Sequence, residues 1–272
     1  MSPSRSKTKE TLLAELREQL RVASAPAHSQ DPTLLTTGAQ PLDRILPEGG
    51  LRRGMLVEWL AAGRGSGAAM LALIAAREAS REGGAVVVCD RAREFYPPAA
   101  WGLGIPARQL VIVRPRSLAD EQWVVEQCLR STGVAATWSC LAQVSPASLR
   151  RWQLAAETGG GLGLLVRPAS VRGAPTWSDL QLLVTPRAAA SSPPPAERQR
   201  ELADSAAAGR RLRVEIVRCR GGPAGEGVEL EIEETTGLIR PVDTESGSHE
   251  TNPVPASAEL APGSARRRSA RA

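Results

Sequence analysis

An apolar run, three glycines on alternate positions and an alanine-rich stretch follow one another in "WLAAGRGSGAAMLALIAA", which begins at Trp59. This order constrains the fold more than any other part of the chain. The run from Met55 to Leu60 reads as a buried strand, and Gly67 to about Glu82 reads as a helix. Gly63, Gly65 and Gly67 lie between them, where the backbone must turn from strand to helix without steric cost. A strand that feeds directly into a helix finds its next partner by crossing over, and that leads to a parallel sheet.

The rest of the chain repeats this alternation. "LLTTGAQPLDRILPEGG" reads as an extended start and a short helix from Pro41 to Leu46. Apolar strand patterns follow in "GGAVVVCD", at Leu110–Val113, and in "VAATWSCLAQV", "GLGLLVRP" and "LQLLVTP". Between them lie helices in "SLADEQWVVEQCLRST", capped by Ser117, and in "SPASLRRWQLAAETGG", capped by Ser145 with Pro146 at its first position. "RLRVEIVRCRGGPAGEGVELEI" gives two strands joined by a glycine-rich turn, with charges alternating against apolar residues as on a half-exposed sheet. The predicted class is α/β: a mostly parallel sheet flanked by helices, with a C-terminal β-hairpin.

Two segments flank this core, which spans 34–242, and a third interrupts it. Residues 1–33 hold a predicted amphipathic helix with Leu12, Leu13, Leu16 and Leu20 on one face, then a linker. That stripe is a candidate for docking on a partner helix or on the core itself. Residues 187–210 read as a flexible loop, and 243–272 as a disordered tail ending in a basic patch.

Composition excludes several classes. Cys89, Cys128, Cys140 and Cys219 form no CxxC pair, and His28 and His249 are the only histidines, so no metal site is expected. The thiols read as buried and free. No apolar run is long enough for a membrane helix, and a cytoplasmic location is expected. The net charge of +5 permits nucleic-acid contact without requiring it. Lysine occurs only at Lys7 and Lys9, outside the core. Trp59, Trp123, Trp138 and Trp152 sit at apolar periodic positions and are expected in the core; Trp101 is expected at the surface.

A working phosphate loop, G-x-x-x-x-G-K-[ST], needs a lysine on the β- and γ-phosphates and a hydroxyl on magnesium. Here Gly67 precedes the helix, and Ala68 and Ala69 occupy those two positions. Arg64 lies in the loop as a substitute cation, and Ser66 offers a hydroxyl one residue before Gly67. The segment Gly63, Arg64, Gly65, Ser66, Gly67, Ala68 and Ala69 is thus a degenerate nucleotide site. An inherited tight turn is favoured over a ligand cradle, and weak ATP or anion binding is the alternative.

The order and spacing of these pieces resemble the RecA-type recombinase core over roughly residues 34–240. Within that superfamily the chain is more similar to the ImuA family, through "GSGA" and "RLRVEIVRCRGGPAGEGVELEIEETTGLIRP". The resemblance places a catalytic glutamate at the position held by Ala92, with Glu94 out of step, and a magnesium-side aspartate on a strand that here carries no acid. It therefore implies no catalytic residues, no ATPase activity and no cofactor. It implies an accessory role in DNA damage tolerance, in translesion synthesis under the SOS response. The implied partners are an ImuB-like Y-family polymerase-related protein, an error-prone replicative-type polymerase and the RecA filament. The segment matching the second DNA-binding loop makes Arg167, Arg172 and Trp177 candidates for weak or indirect DNA contact. A divergent RecA-type ATPase using Arg64 and a single-stranded-DNA-binding repair protein are the alternatives.

Overall fold

The structure, a computed structural model, describes residues 34–187, 210–233 and 237–242. The predicted helix with Leu12, Leu13, Leu16 and Leu20, the loop interior and the C-terminal tail lie outside the described residues. The described chain opens with β1 (Leu34–Leu35), α1 (Gln40–Ile45) and β2 (Leu51–Arg52). The strand and helix around the glycine turn are β3 (Leu56–Ala61) and α2 (Ala68–Ala79). After them come β4 (Ala85–Cys89), α3 (Pro97–Gly102), β5 (Leu110–Val113), α4 (Leu118–Arg130) and β6 (Val134–Cys140). The last elements are α5 (Pro146–Gly159), β7 (Leu162–Pro168), β8 (Leu180–Pro186), β9 (Arg210–Cys219), β10 (Gly227–Ile232) and β11 (Ile239–Pro241).

Among the described residues, nine strands form one sheet in the order β11-β10-β9-β8-β3-β7-β6-β4-β5. From β8 to β5 all pairings are parallel, and β9, β10 and β11 add antiparallel. The parallel strands are buried on both faces, which explains why "AVVVC" and "LGLLV" read as unbroken apolar runs. Successive residues supply opposite faces. Val57 and Trp59 of β3 join α2 in one apolar cluster, while Leu56 joins α4 and α5 in the other. Alanine at 68, 72, 75, 76 and 79 lets α2 lie close against the sheet; all are at most 1% exposed. The predicted caps hold: Ser117 Oγ accepts from the Asp120 amide at 3.1 Å and Ser145 Oγ from the Ser148 amide at 3.0 Å.

The structure corrects some expectations. β1 pairs antiparallel with β2 in a small separate sheet, and β11 adds a third strand to the predicted hairpin. Trp123 is only partly buried against the α4–α5 cluster, whereas Trp59, Trp138 and Trp152 are buried as predicted. Cys89 and Cys128 are buried, but Cys140 is exposed and Cys219 partly exposed, because both close their strands at the sheet's rim.

β7 and β8 flank β3, so residues 169–179 must carry the chain across the central strand. They do so with one short 3-10 turn, Ala169–Val171, and otherwise irregular backbone. What fastens this crossing is Glu58, a fully buried carboxylate in the middle of β3. Its Oε2 accepts hydrogen bonds from Thr176 Oγ1 at 3.0 Å, Ser178 Oγ at 2.9 Å and Gln181 Nε2 at 2.6 Å. Its Oε1 pairs with Arg167 Nη1 on β7. Asp179 adds a second tie, its amide donating to Leu56 O at 2.8 Å and its Oδ2 accepting from the Leu56 amide at 2.9 Å. A buried charge is tolerable only when paired and hydrogen-bonded, and here both conditions are met.

Truncating one member of such a pair strands the other in low dielectric. Glu58→Ala is expected to lower stability by about 3–5 kcal/mol, and Glu58→Leu with Arg167→Leu to recover only the part due to the stranded arginine, because Thr176, Ser178 and Gln181 still lose their acceptor. Urea denaturation of the full chain, comparing midpoints at constant slope, checks both.

Candidate functional site

The turn between β3 and α2 brings the predicted segment together as a single compact feature. Gly63, Gly65 and Gly67 have φ of 151°, 69° and 88°, all in the region that favours glycine. Ala62 donates to Val184 O on β8 at 3.0 Å, which fixes the start of the turn. Gly67 is the N-cap of α2 and, as a glycine, brings no capping side chain of its own. Ser66 is buried and turned onto the helix start, where its Oγ meets the Ala68 amide at 3.4 Å. Arg64 is exposed. Ala68 is 1% exposed, so the position of the phosphate lysine is packed inside the protein.

The turn is also filled from the side. Leu212, fully buried on β9, leans onto Gly67, and a Cβ there would stand 2.4 Å from Leu212 Cδ1. An Arg210 guanidinium nitrogen lies 3.1 Å from where a Gly65 Cβ would be. The antiparallel hairpin therefore closes over the glycine turn with an aliphatic side chain.

Beside the turn, a cavity of about 570 Å³ runs between α2, α3 and the ends of β4 and β6. Ala69, Ala92 and Cys140 line it. Met70, Leu73, Phe95 and Trp138 make most of the remaining wall apolar. Phe95 and Trp138 rings meet at 5.5 Å and 56°. Asp90, 6% exposed, ends β4; its Oδ1 accepts from the Glu94 amide at 2.9 Å and its Oδ2 faces Arg114 Nε at 3.6 Å. Glu94 is exposed at the mouth. Burial, with Glu94 and Asp90 adding to it, pushes the Cys140 thiol up to about 12. Among the described residues no group of three or more His, Cys, Asp or Glu side chains is placed to hold a metal ion.

The DNA-contact candidates do not act together. Arg167, expected beside the second loop, is 5% exposed and spent on Glu58 inside the sheet, so the structure withdraws it from the surface. Arg172 and Trp177 do lie on the crossing segment, which is pinned rather than mobile. Arg172 pairs with Glu215 at 3.1 Å, and Arg150 of α5 sits 4.6 Å over the Trp177 ring. Arg218 Nη1 donates to Thr176 O at 2.7 Å, and the Arg220 amide to Asp179 O at 2.7 Å. Sequence reasoning missed Glu58, Leu212 and the cavity. The signal for Glu58 was present, an acid inside an otherwise apolar strand.

Two outcomes follow from this geometry. Gly67→Ala forces a left-handed backbone and a clash with Leu212, and is expected to cost at least about 2 kcal/mol in denaturant titration; Leu212→Ala in the same chain should return the steric part. The reactive form of a thiol is the thiolate. Alkylation of Cys140 by iodoacetamide is therefore expected to be slow at neutral pH despite its exposure, and to accelerate as pH rises toward 12, read by mass spectrometry of the labelled peptide.

Comparison with known proteins fits this picture. No protein-family model matches the sequence. Over 216 residues the chain is 32% identical to Protein ImuA of Caulobacter vibrioides, in two strains, covering 73% of this chain and 84% of that protein. Protein RecA of Chlorobium limicola is 36% identical over 100 residues, 37% of this chain and 28% of that protein. Among solved structures the RadB recombinase superposes with a TM-score of 0.52 at 16% identity, covering 77% of this chain and 100% of that one; this likeness concerns the fold alone. With a RecA-type sheet and this identity across most of both proteins, the chain belongs to the ImuA family.

Proposed function

We propose that this protein is a non-catalytic RecA-fold accessory protein of DNA damage tolerance. It acts as an adaptor in mutagenic translesion synthesis under the SOS response. Its partners in this reading are an ImuB-like Y-family polymerase-related protein and an error-prone replicative-type polymerase, with the RecA filament as a further contact. The observation that carries the proposal is the apolar refilling of the nucleotide position. Alanines stand at 68, 69 and 92, and Leu212 occupies the space over Gly67. Each absent group would have stabilised charge on a transferring phosphoryl. A scaffold that keeps the fold and drops those groups is suited to docking.

Direct DNA contact is weak or indirect in this reading. Arg172 and Trp177 are the candidate residues, and each already has a protein partner in Glu215 and Arg150. Among the described residues no helix is long and apolar enough to cross a membrane; a cytoplasmic location is part of the proposal.

The expected result of titration calorimetry with millimolar ATP and magnesium is no binding heat, and purified protein should release no phosphate. ATP binding that disappears in Arg64→Ala would establish the divergent ATPase instead. Co-purification of the full-length chain with the two polymerase-related proteins is the positive test, and absence of any complex would defeat the adaptor role.

A further inference from the structure

The helix α3, only Pro97–Gly102, divides two depressions of opposite character. On one side is the apolar cavity described above. On the other is an open cleft of about 530 Å³ whose wall carries Arg77, Arg81 and Arg108. Gly102 and Leu103 line both, so the ridge between them is a single helix end thick. Two aromatic side chains stand on that ridge: Tyr96, the N-cap of α3, is 68% exposed and Trp101 is 51% exposed. In a chain with one Tyr, one Phe and six Trp, this concentration is notable, because an exposed indole and phenol leave apolar area in water.

The charges around the ridge are uneven. Glu78, behind the arginine cleft, meets Arg77 Nη2 at 2.6 Å and Arg81 Nε at 2.9 Å. Arg77 Nη1 also donates to Leu103 O at 3.1 Å, which holds its guanidinium against the ridge. Arg108 is exposed on the same wall. The charged residues that line the cleft, among those described, are all arginines, which leaves it cationic. The rim of the apolar cavity is mixed: Glu94 and Arg91 line it, and Asp90 faces Arg114. Inside it, Trp138 is 5% exposed and its Nε1 has no hydrogen-bond partner.

We infer that this ridge is a docking surface for an acidic peptide segment of a partner protein. An aliphatic or aromatic side chain of the segment enters the cavity against Phe95 and Trp138. Its carboxylates cross α3 onto the arginines, and Tyr96 and Trp101 pack against the segment between. Trp, Tyr and Arg are the residues that most often anchor interfaces. An extended peptide advances about 3.3 Å per residue, so a few residues span the ridge. Nucleic acid fits less well: arginine and tryptophan would suit it, but the neighbouring cavity has an apolar wall of Met70, Leu73, Phe95 and Trp138, which takes a hydrophobic side chain and not a phosphate. The inference deepens the adaptor reading by naming its surface and rests on it.

The test selects a display library of random short peptides on the full-length chain, with poly-dT as a second probe. Enriched peptides should carry an apolar anchor beside Asp or Glu. Their affinity should fall at least tenfold for Trp101→Ala and for Arg108→Glu, both exposed positions whose change leaves the core alone. In a 5-fluorotryptophan-labelled chain, the 19F resonances of Trp101 and Trp138 should shift on binding while that of Trp152 does not. No enrichment, peptides without acids, unchanged affinity in both variants, or displacement of the peptides by poly-dT would each overturn the inference. Failure of the adaptor role is separable. If the wild-type chain forms no complex with the polymerase-related proteins, that role fails; if wild type and both variants form it equally, only the assigned surface fails.

Discussion

One carboxylate organises the centre of this protein. Glu58 lies at the middle of the strand that every RecA-type feature flanks, and its oxygens gather groups from β7, β8 and the segment that joins them. A crossing between parallel strands usually spends a helix on covering the sheet. Here eleven residues, 169–179, make the passage with little regular structure, so their polar groups need partners from elsewhere. Glu58 supplies them. The arrangement also fixes register, since a one-residue slip of β3 would turn the carboxylate to the α2 face, toward Leu71 and Ile74.

The tying of that segment bears on function. The position that resembles a mobile DNA loop is braced from below by Glu58, from the side by Arg150 and Glu215, and from the hairpin by Arg218 and Arg220. On the other side of β3, the glycine turn runs into Ala68 and Ala69, where a phosphate loop carries a lysine and a hydroxyl. Neither place offers many free charged side chains: Arg172 is paired with Glu215, and Ala68 is packed inside.

Much of the fold was legible because buried parallel strands leave unbroken apolar runs and helices of this kind announce their caps. Ser117, Ser145 and Pro146 mark helix starts by local hydrogen bonding alone, and local rules are visible in one dimension. Arg167 was misplaced for the opposite reason. Its neighbours in sequence point to a loop, and only the parallel register of β7 with β3 brings it to Glu58. Leu212 and Gly67 lie 145 positions apart in sequence, and nothing in either segment foretells their contact. The cavity, too, is made of side chains from α2, α3, β4 and β6, so it exists only once the sheet order is set.

The seat of Leu212 over Gly67 has a thermodynamic consequence. The hairpin strand occupies the side of that glycine on which any other residue would carry its Cβ, so a side chain at 67 could be housed only by lifting a fully buried leucine. Sequence choice at the turn and integrity of the hairpin are thereby linked across the sheet.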